Sequence, residues 1–193
     1  MVEYDTVQVL DLIEQIGEDE VNEILSDFSC PKNSEIEEFI KTRAVEFSKK
    51  KMSMTHLIFD EDVSLVGFYT LTHKPLTVKS DSLSQTTNKK MERHAKYDEK
   101  IDSYNLSAFL IAQFGKNYTL ASEKRIAGDR LVNLVYDRLR DVQHEVGGGV
   151  IFLECAEERK LLTFYQKEEN GFKPFGERVA DGQTRYIQLL RFI

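Results

Sequence analysis

Residues 111–118, IAQFGKNY, followed by Arg125-Ile-Ala-Gly128-Asp-Arg130 and an amphipathic run to Val146, constrain the fold more than any other stretch of the chain. The apolar residues of 106–114 read as a buried strand, and a glycine-bearing turn follows. Leu131, Leu134, Val135, Leu139, Val142 and Val146 then recur at helical spacing, up to a stop at Gly147-Gly-Gly149. A strand, a turn and a helix in that order can hold a phosphate. The first N–H groups of a helix have no intrahelical partner, and the helix dipole draws anions to that end. Gly128 lets a ligand approach the backbone closely.

Downstream, Val150-Ile-Phe-Leu-Glu-Cys155 forms a second buried strand. Leu161-Leu-Thr-Phe-Tyr165 forms a helix that ends at the turn Asn170-Gly-Phe172. In this order the segments resemble the acetyl-CoA-binding half of the GCN5-related N-acetyltransferases. The family's pyrophosphate loop reads Gln or Arg, two residues, Gly, one residue, then Gly or Ala; Arg125 and Gly128 match, whereas Arg130 stands where a small residue is expected. The resemblance implies an α/β (α+β) fold in which a mixed, mostly antiparallel sheet splays between two parallel strands and is flanked by helices. It implies acetyl-CoA as cosubstrate, held by Phe114, Gly115, Lys116, Arg125, Ile126, Ala127, Gly128, Asp129 and Arg130.

The same resemblance implies direct attack of an uncharged primary amine on the thioester in a ternary complex. The backbone N–H near Phe114 or Gly115 would face the thioester oxygen. Tyr165 matches the family's tyrosine beside the sulfur, as proton donor or as hydrogen-bond donor to the departing thiolate; the alternative is an aromatic that packs like Phe164. The strand 104–114 carries no carboxylate, so the general base is left to water or to Glu154 at the end of the next strand, unless Glu154 is simply solvated or hydrogen-bonded. His56, His73, His94 and His144 are scattered, and no metal site is expected.

The amino-terminal half carries a second likeness. Phe28-Ser-Cys30, a helix containing Glu38 to Ala44, and strands at 55–59 and 65–71 resemble the toxin-type subgroup that acetylates aminoacyl-tRNA. This implies tRNA as a partner, beside other amine acceptors. The other function class is a protein that keeps the fold, binds coenzyme A and acts through a protein or RNA partner; homodimerisation is left open.

Composition sets the remaining bounds. With 193 residues, 41% hydrophobic, one domain over 1–193 is expected. No run of about 18 apolar residues occurs, and no basic stretch followed by an apolar one opens the chain, so the expectation is a cytoplasmic protein without a membrane span. Cys30 and Cys155 lie among apolar neighbours and read as buried free thiols. The net charge of −7 is unevenly spread: residues 1–27 hold nine acids and no Lys or Arg, leaving 24 acids against 26 bases in the rest. Bases cluster at 49–51 and 89–96, either as RNA contacts or as solvated helix faces.

A pass along the chain predicts a strand at 6–10, a helix at 19–25, and a helix opened by a Ser34–Glu37 capping box and ending at 49–51. It further predicts a hairpin of 54–59 with 63–78, a surface excursion over 79–102 with a helix around 88–96, and a last strand at 185–193.

Overall fold

The computed structural model describes residues 3–180 and 184–193. It begins with β1 (Asp5–Gln8), which runs directly into α1 (Val9–Ile16). The strand expected over 6–10 is therefore shortened, because Val9, Leu12, Ile13 and Ile16 share one helical face and Val9 is fully buried. Gly17 joins α1 to α2 (Glu18–Ser26) at φ 96°, closing the first helix with a 2.9 Å bond from its N–H to the Ile13 carbonyl. Glu18, Asp19 and Glu20 then occupy the first turn of α2, where the helix dipole favours negative charge.

The single helix expected after Ser34 is two. α3 (Ser34–Thr42) and α4 (Ala44–Lys49) are separated by Arg43, which leaves helical geometry at φ −123°. The cap is Asn33, whose Oδ1 accepts the Ile36 N–H at 3.1 Å, and no capping box closes on Ser34. Glu37 reaches back instead, accepting the Cys30 N–H at 2.6 Å and the Ser29 hydroxyl at 3.3 Å. These bonds, with Lys41, hold its carboxyl below the usual carboxylate range.

β2 (Met54–Phe59) and β3 (Leu65–Lys79) form the antiparallel hairpin, joined by a turn in which Asp60 Oδ1 accepts the N–H groups of Asp62 and Ser64. The polar 79–102 segment contains α5 (Gln85–Met91), capped by Ser84 and starting earlier than expected, and β4 (Lys96–Asp98). It is not wholly superficial, since Leu83 and Met91 enter the core. The remaining elements are β5 (Ser103–Lys116), α6 (Gly128–Val146), β6 (Val150–Ala156), α7 (Arg159–Gln166), β7 (Lys173–Ala180) and β8 (Thr184–Phe192). The α6 face that is buried comprises Leu131, Val132, Val135, Tyr136 and Leu139; Val146 is 63% exposed.

The strands form one mixed sheet in the order β1-β2-β3-β5-β6-β8-β7, with β4 added to β5. A parallel ladder between β5 and β6 pairs Phe109 with Ile151 and Leu110 with Phe152. β7 was not expected from the sequence. Pro174 and Gly176 fit within this strand because the register with β8 shifts between them.

Two compact units can be distinguished, the described parts of 1–72 with 111–135, and 73–110 with 136–193. In the first, Val9, Val21, Leu25, Phe28, Phe39, Ile40, Leu57 and Phe68 form a core in which Phe28 meets Phe68 edge-on at 5.2 Å. In the second, Val78, Met91, Tyr104, Ala108, Val150, Phe152, Phe175 and Leu190 form another. Among the described residues no helix is long and apolar enough to cross a membrane.

The β2–β3 turn places the β-branched Val63 at φ 59°, with its side chain 78% exposed. A left-handed conformation costs such a residue about 1–2 kcal/mol, and no burial offsets it. Val63→Gly is expected to raise the unfolding free energy by about 1 kcal/mol, read from the urea midpoint at constant slope. A lower midpoint would contradict the strain assigned to this turn.

Candidate active site

The strand end and loop that the sequence pattern assigns to an anion lie in the first unit. β5 arrives there through Phe114, Gly115 and Lys116, and its last glycine has no room for a side chain. A Cβ on Gly115 would stand 2.7 Å from Ile36 Cγ2 and 2.9 Å from the Phe68 ring. Gly67 on β3 approaches the same point, where a Cβ would lie 2.8 Å from the Gly115 carbonyl oxygen.

Beyond Lys116 the chain is fixed by the buried Asn117. Its N–H donates to the Val66 carbonyl at 2.9 Å and its Nδ2 to the Leu65 carbonyl at 2.9 Å. Its Oδ1 accepts from the Ser29 N–H at 3.1 Å and from the N–H and hydroxyl of Thr119 at 3.1 and 3.0 Å. Tyr118 adds a bond from its N–H to the Ser29 carbonyl at 2.8 Å, and its ring carries Lys32 Nζ at 4.9 Å and the Arg125 guanidinium at 5.0 Å.

Arg125 therefore has a defined task. Its Nε donates to the Leu120 carbonyl at 2.9 Å and one terminal nitrogen to the Tyr118 carbonyl at 3.3 Å. The guanidinium braces the loop before the helix, although the sequence pattern assigned it to the anion. Ile126 is buried beneath that loop, and Arg130 lies over the Tyr4 ring at 5.9 Å. The first bond of the α6 ladder runs from the Leu131 N–H to the Ala127 carbonyl at 3.0 Å, so the N–H groups of Gly128, Asp129 and Arg130 precede it. Lys116 is partly buried nearby. Burial and the neighbouring Lys32 charge lower its proton affinity, against the opposing pull of Asp129.

The second unit holds the other two predicted residues. Tyr165, on α7, is half-buried and packs edge-on against Phe164 at 5.2 Å and Phe172 at 5.7 Å. Its carbonyl accepts the Phe172 N–H, which turns the chain at Asn170-Gly-Phe172. Asn170 secures the turn by donating to the Phe164 carbonyl at 2.8 Å, while its own carbonyl accepts from the Tyr136 hydroxyl at 3.0 Å and from Arg191 at 2.7 Å. Tyr136, Asn170 and Arg191 were not picked out as site residues by sequence reasoning; a tyrosine in the apolar stripe of α6 was the one available signal. Burial, then Cys155 and Tyr136, push the Tyr165 phenol far above the ordinary tyrosine value, and its hydroxyl has no hydrogen-bond partner among the described residues.

Glu154 occupies a different environment from a free base. Its Oε2 accepts from Arg178 Nε at 2.9 Å and its Oε1 from Gln188 Nε2 at 2.8 Å, tying β6 to its neighbour β8 and, one strand further out, to β7. Cys30 and Cys155 are both buried free thiols. Burial and the nearby Glu158 raise Cys155 from its ordinary 9.0 to about 11. At pH 8 this leaves about a hundredfold less thiolate than in an unshifted cysteine. Iodoacetamide labelling of Cys155 followed by mass spectrometry is therefore expected to be correspondingly slow at pH 8 and to accelerate with every pH unit up to about 11. Labelling at pH 8 as fast as a free thiol would refute the burial argument.

No family model matches the sequence, and no curated protein matches it. Solved structures do. AtaT complexed with acetyl-methionyl-tRNAfMet is 18% identical over 96% of this chain and 94% of that one, with a TM-score of 0.61. A protein described as a bacterial toxin is 13% identical over 100% and 90%, with a TM-score of 0.67. AtaTR bound with acetyl-CoA is 15% identical over 98% and 93%, with a TM-score of 0.57. At these identities the likeness establishes a shared fold, the one implied by the motif order of the sequence.

Proposed function

We propose that this chain is an acetyl-CoA-dependent N-acetyltransferase acting on a primary amine, with the α-amino group of an aminoacyl-tRNA as the acceptor that its structural neighbours favour. The observation that carries the reading is the braced loop ahead of α6. Asn117 and Arg125 engage the loop's own polar groups, and the first-turn N–H groups of Gly128, Asp129 and Arg130 stand ahead of the helical ladder. Donors placed at the positive end of a 19-residue helix suit a pyrophosphate, and Lys116 adds a cation whose lowered proton affinity an anion would restore.

The thioester supplies an activated acetyl group, so no protein nucleophile is required. What the chain must do is align the amine, exclude water and meet developing charge. Backbone N–H groups around Phe114 and Gly115 serve the carbonyl oxygen in this reading. Tyr165 serves the sulfur. A phenol held far above its ordinary value remains protonated at neutral pH, and full transfer of its proton to a more acidic thiol would be uphill. It acts best as a hydrogen-bond donor that strengthens as charge builds on the leaving atom. The proton lost by the amine passes to water, because Glu154 is already held by Arg178 and Gln188.

Titration with acetyl-CoA and thiol release on addition of aminoacyl-tRNA test the whole reading; absence of acetyl-CoA binding would overturn it. Gly128→Asp places a carboxylate where phosphate must approach and is expected to abolish that binding with the unfolding midpoint unchanged. Binding within a few-fold of the parent would remove the loop from the site.

Tyr165→Phe keeps both edge-on ring contacts and removes the hydroxyl. Acetyl-CoA affinity is expected to hold while turnover falls by about 10²-fold. Unchanged turnover with chemistry rate-limiting would leave Tyr165 a packing residue.

A further inference from the structure

The segment between β3 and β5 holds a cavity that this chemistry does not use. About 480 Å³ in size, it lies in the second unit and is lined by Ser80, Asn88, Glu92, Tyr97 and Tyr104. The two tyrosine rings are 5.1 Å apart and inclined at 50°; Tyr104 is buried, whereas Tyr97 is 42% exposed. The Tyr97 hydroxyl is anchored by a 2.6 Å bond to Asp102 Oδ1, which also accepts the Ser80 hydroxyl. Its side chain is thus held in place while the residue stays partly accessible.

Asn88 gives the cavity its chemistry. Its Nδ2 donates to the Ser80 carbonyl at 3.0 Å and to the Leu83 carbonyl at 3.4 Å, so a rotated amide would set oxygen against two carbonyls. Its Oδ1 is buried and has no hydrogen-bond partner among the described residues. A buried acceptor left unmade costs free energy that a ligand donor would recover. Glu92 adds a carboxylate to the same lining, so the cavity is rich in acceptors and offers an aromatic face. The basic residues next to the lining residues in sequence decide what kind of donor enters. Lys89, Lys90, Arg93 and Lys96 are exposed and make no ion pair among the described residues. They repel a cationic peptide or a polyamine and attract phosphate.

We propose that this cavity takes an unpaired nucleobase carrying an exocyclic amino group, stacked on Tyr97 and donating to both Asn88 Oδ1 and Glu92, with the flanking phosphates on Lys89, Lys90, Arg93 and Lys96. The assignment rests on the reading of a tRNA substrate and names how part of that RNA is gripped. Stacking on an aromatic side chain with basic residues along the backbone is a sufficient basis for single-strand binding.

The test uses the full chain without acetyl-CoA and short labelled oligo-adenylate, oligo-cytidylate and oligo-uridylate, followed by fluorescence anisotropy. The amino-bearing oligomers are expected to bind about tenfold tighter than oligo-uridylate. Tyr97→Leu should weaken oligo-adenylate by about tenfold, and Tyr97→Phe should not. Should Tyr97→Leu fail to fold, the exposed Glu92→Lys serves instead and should erase the preference between bases. Lys89→Ala with Lys90→Ala should weaken all three oligomers alike and flatten the salt dependence. Equal binding of the three oligomers, oligo-adenylate affinity unchanged by Tyr97→Leu, or a preference that survives Glu92→Lys, overturns the assignment. Acetyl transfer to aminoacyl-tRNA with equal binding of all three defeats the cavity alone; no transfer with the base preference intact defeats the proposed reaction alone.

Discussion

The buried side chain of Asn117 is the interaction on which the loop leading into α6 depends. One amide satisfies the Leu65 carbonyl, the Ser29 N–H and two groups of Thr119, while its own N–H closes on Val66. Each of those groups would otherwise be left without a partner, at about 1–3 kcal/mol apiece where buried. No residue of similar size but different chemistry offers both the donor and the multiple acceptor positions. The loop that it fixes carries Tyr118, and Tyr118 carries Arg125, so the entry to α6 is set by a chain of contacts that begins at one asparagine. Gly67 and Gly115 permit that arrangement by letting two backbones approach where any Cβ would collide.

Charge is distributed to the same end. Lys49 and Lys50 form part of an obvious basic tract, yet they pair with Glu18 and Glu46 at 2.7 and 2.5 Å. Exposed pairs of this sort add little stability. Their importance is that they spend the tract's positive charge locally, and the acidic opening of the chain supplies one of the partners. Lys116, by contrast, is placed where burial and Lys32 oppose its charge. A protein tolerates such a lysine most readily where an incoming anion relieves it.

Much of this was legible in the sequence because it rests on periodicity and order. The strand–turn–helix from Ile111 to Val146 and the buried strand after Gly149 are patterns of burial, and burial follows hydropathy. What could not be read depends on side chains meeting across distance. Asn117 is an unremarked polar residue at a strand end until Ser29 and Leu65 are brought to it. Glu154 has the type and position of a base until Arg178 and Gln188 arrive from strands whose register is set elsewhere. Arg125 fits a phosphate motif equally well as a loop brace. Two errors were local. Asn33 outcompetes Ser34 as a cap because the helix starts one residue earlier than the motif suggests, and α1 was obscured because Val9 and Leu10 suit either a strand or an amphipathic helix.

Both units are discontinuous in sequence, with β3, β5 and α6 running from one to the other. This bears on how the chain is made. The first unit lacks its Asn117 clamp until translation has passed residue 117, and its helical cover until Val135 has emerged. Until then Phe28, Phe39 and Phe68 form a core without its last elements, with residues 136–193 still to be synthesised. Elongation at about 5–20 residues per second makes this an interval of seconds, long on the scale of collapse. An early, partly assembled nascent chain is therefore inherent in this topology, and no truncation at a single point can yield either unit whole without part of the other.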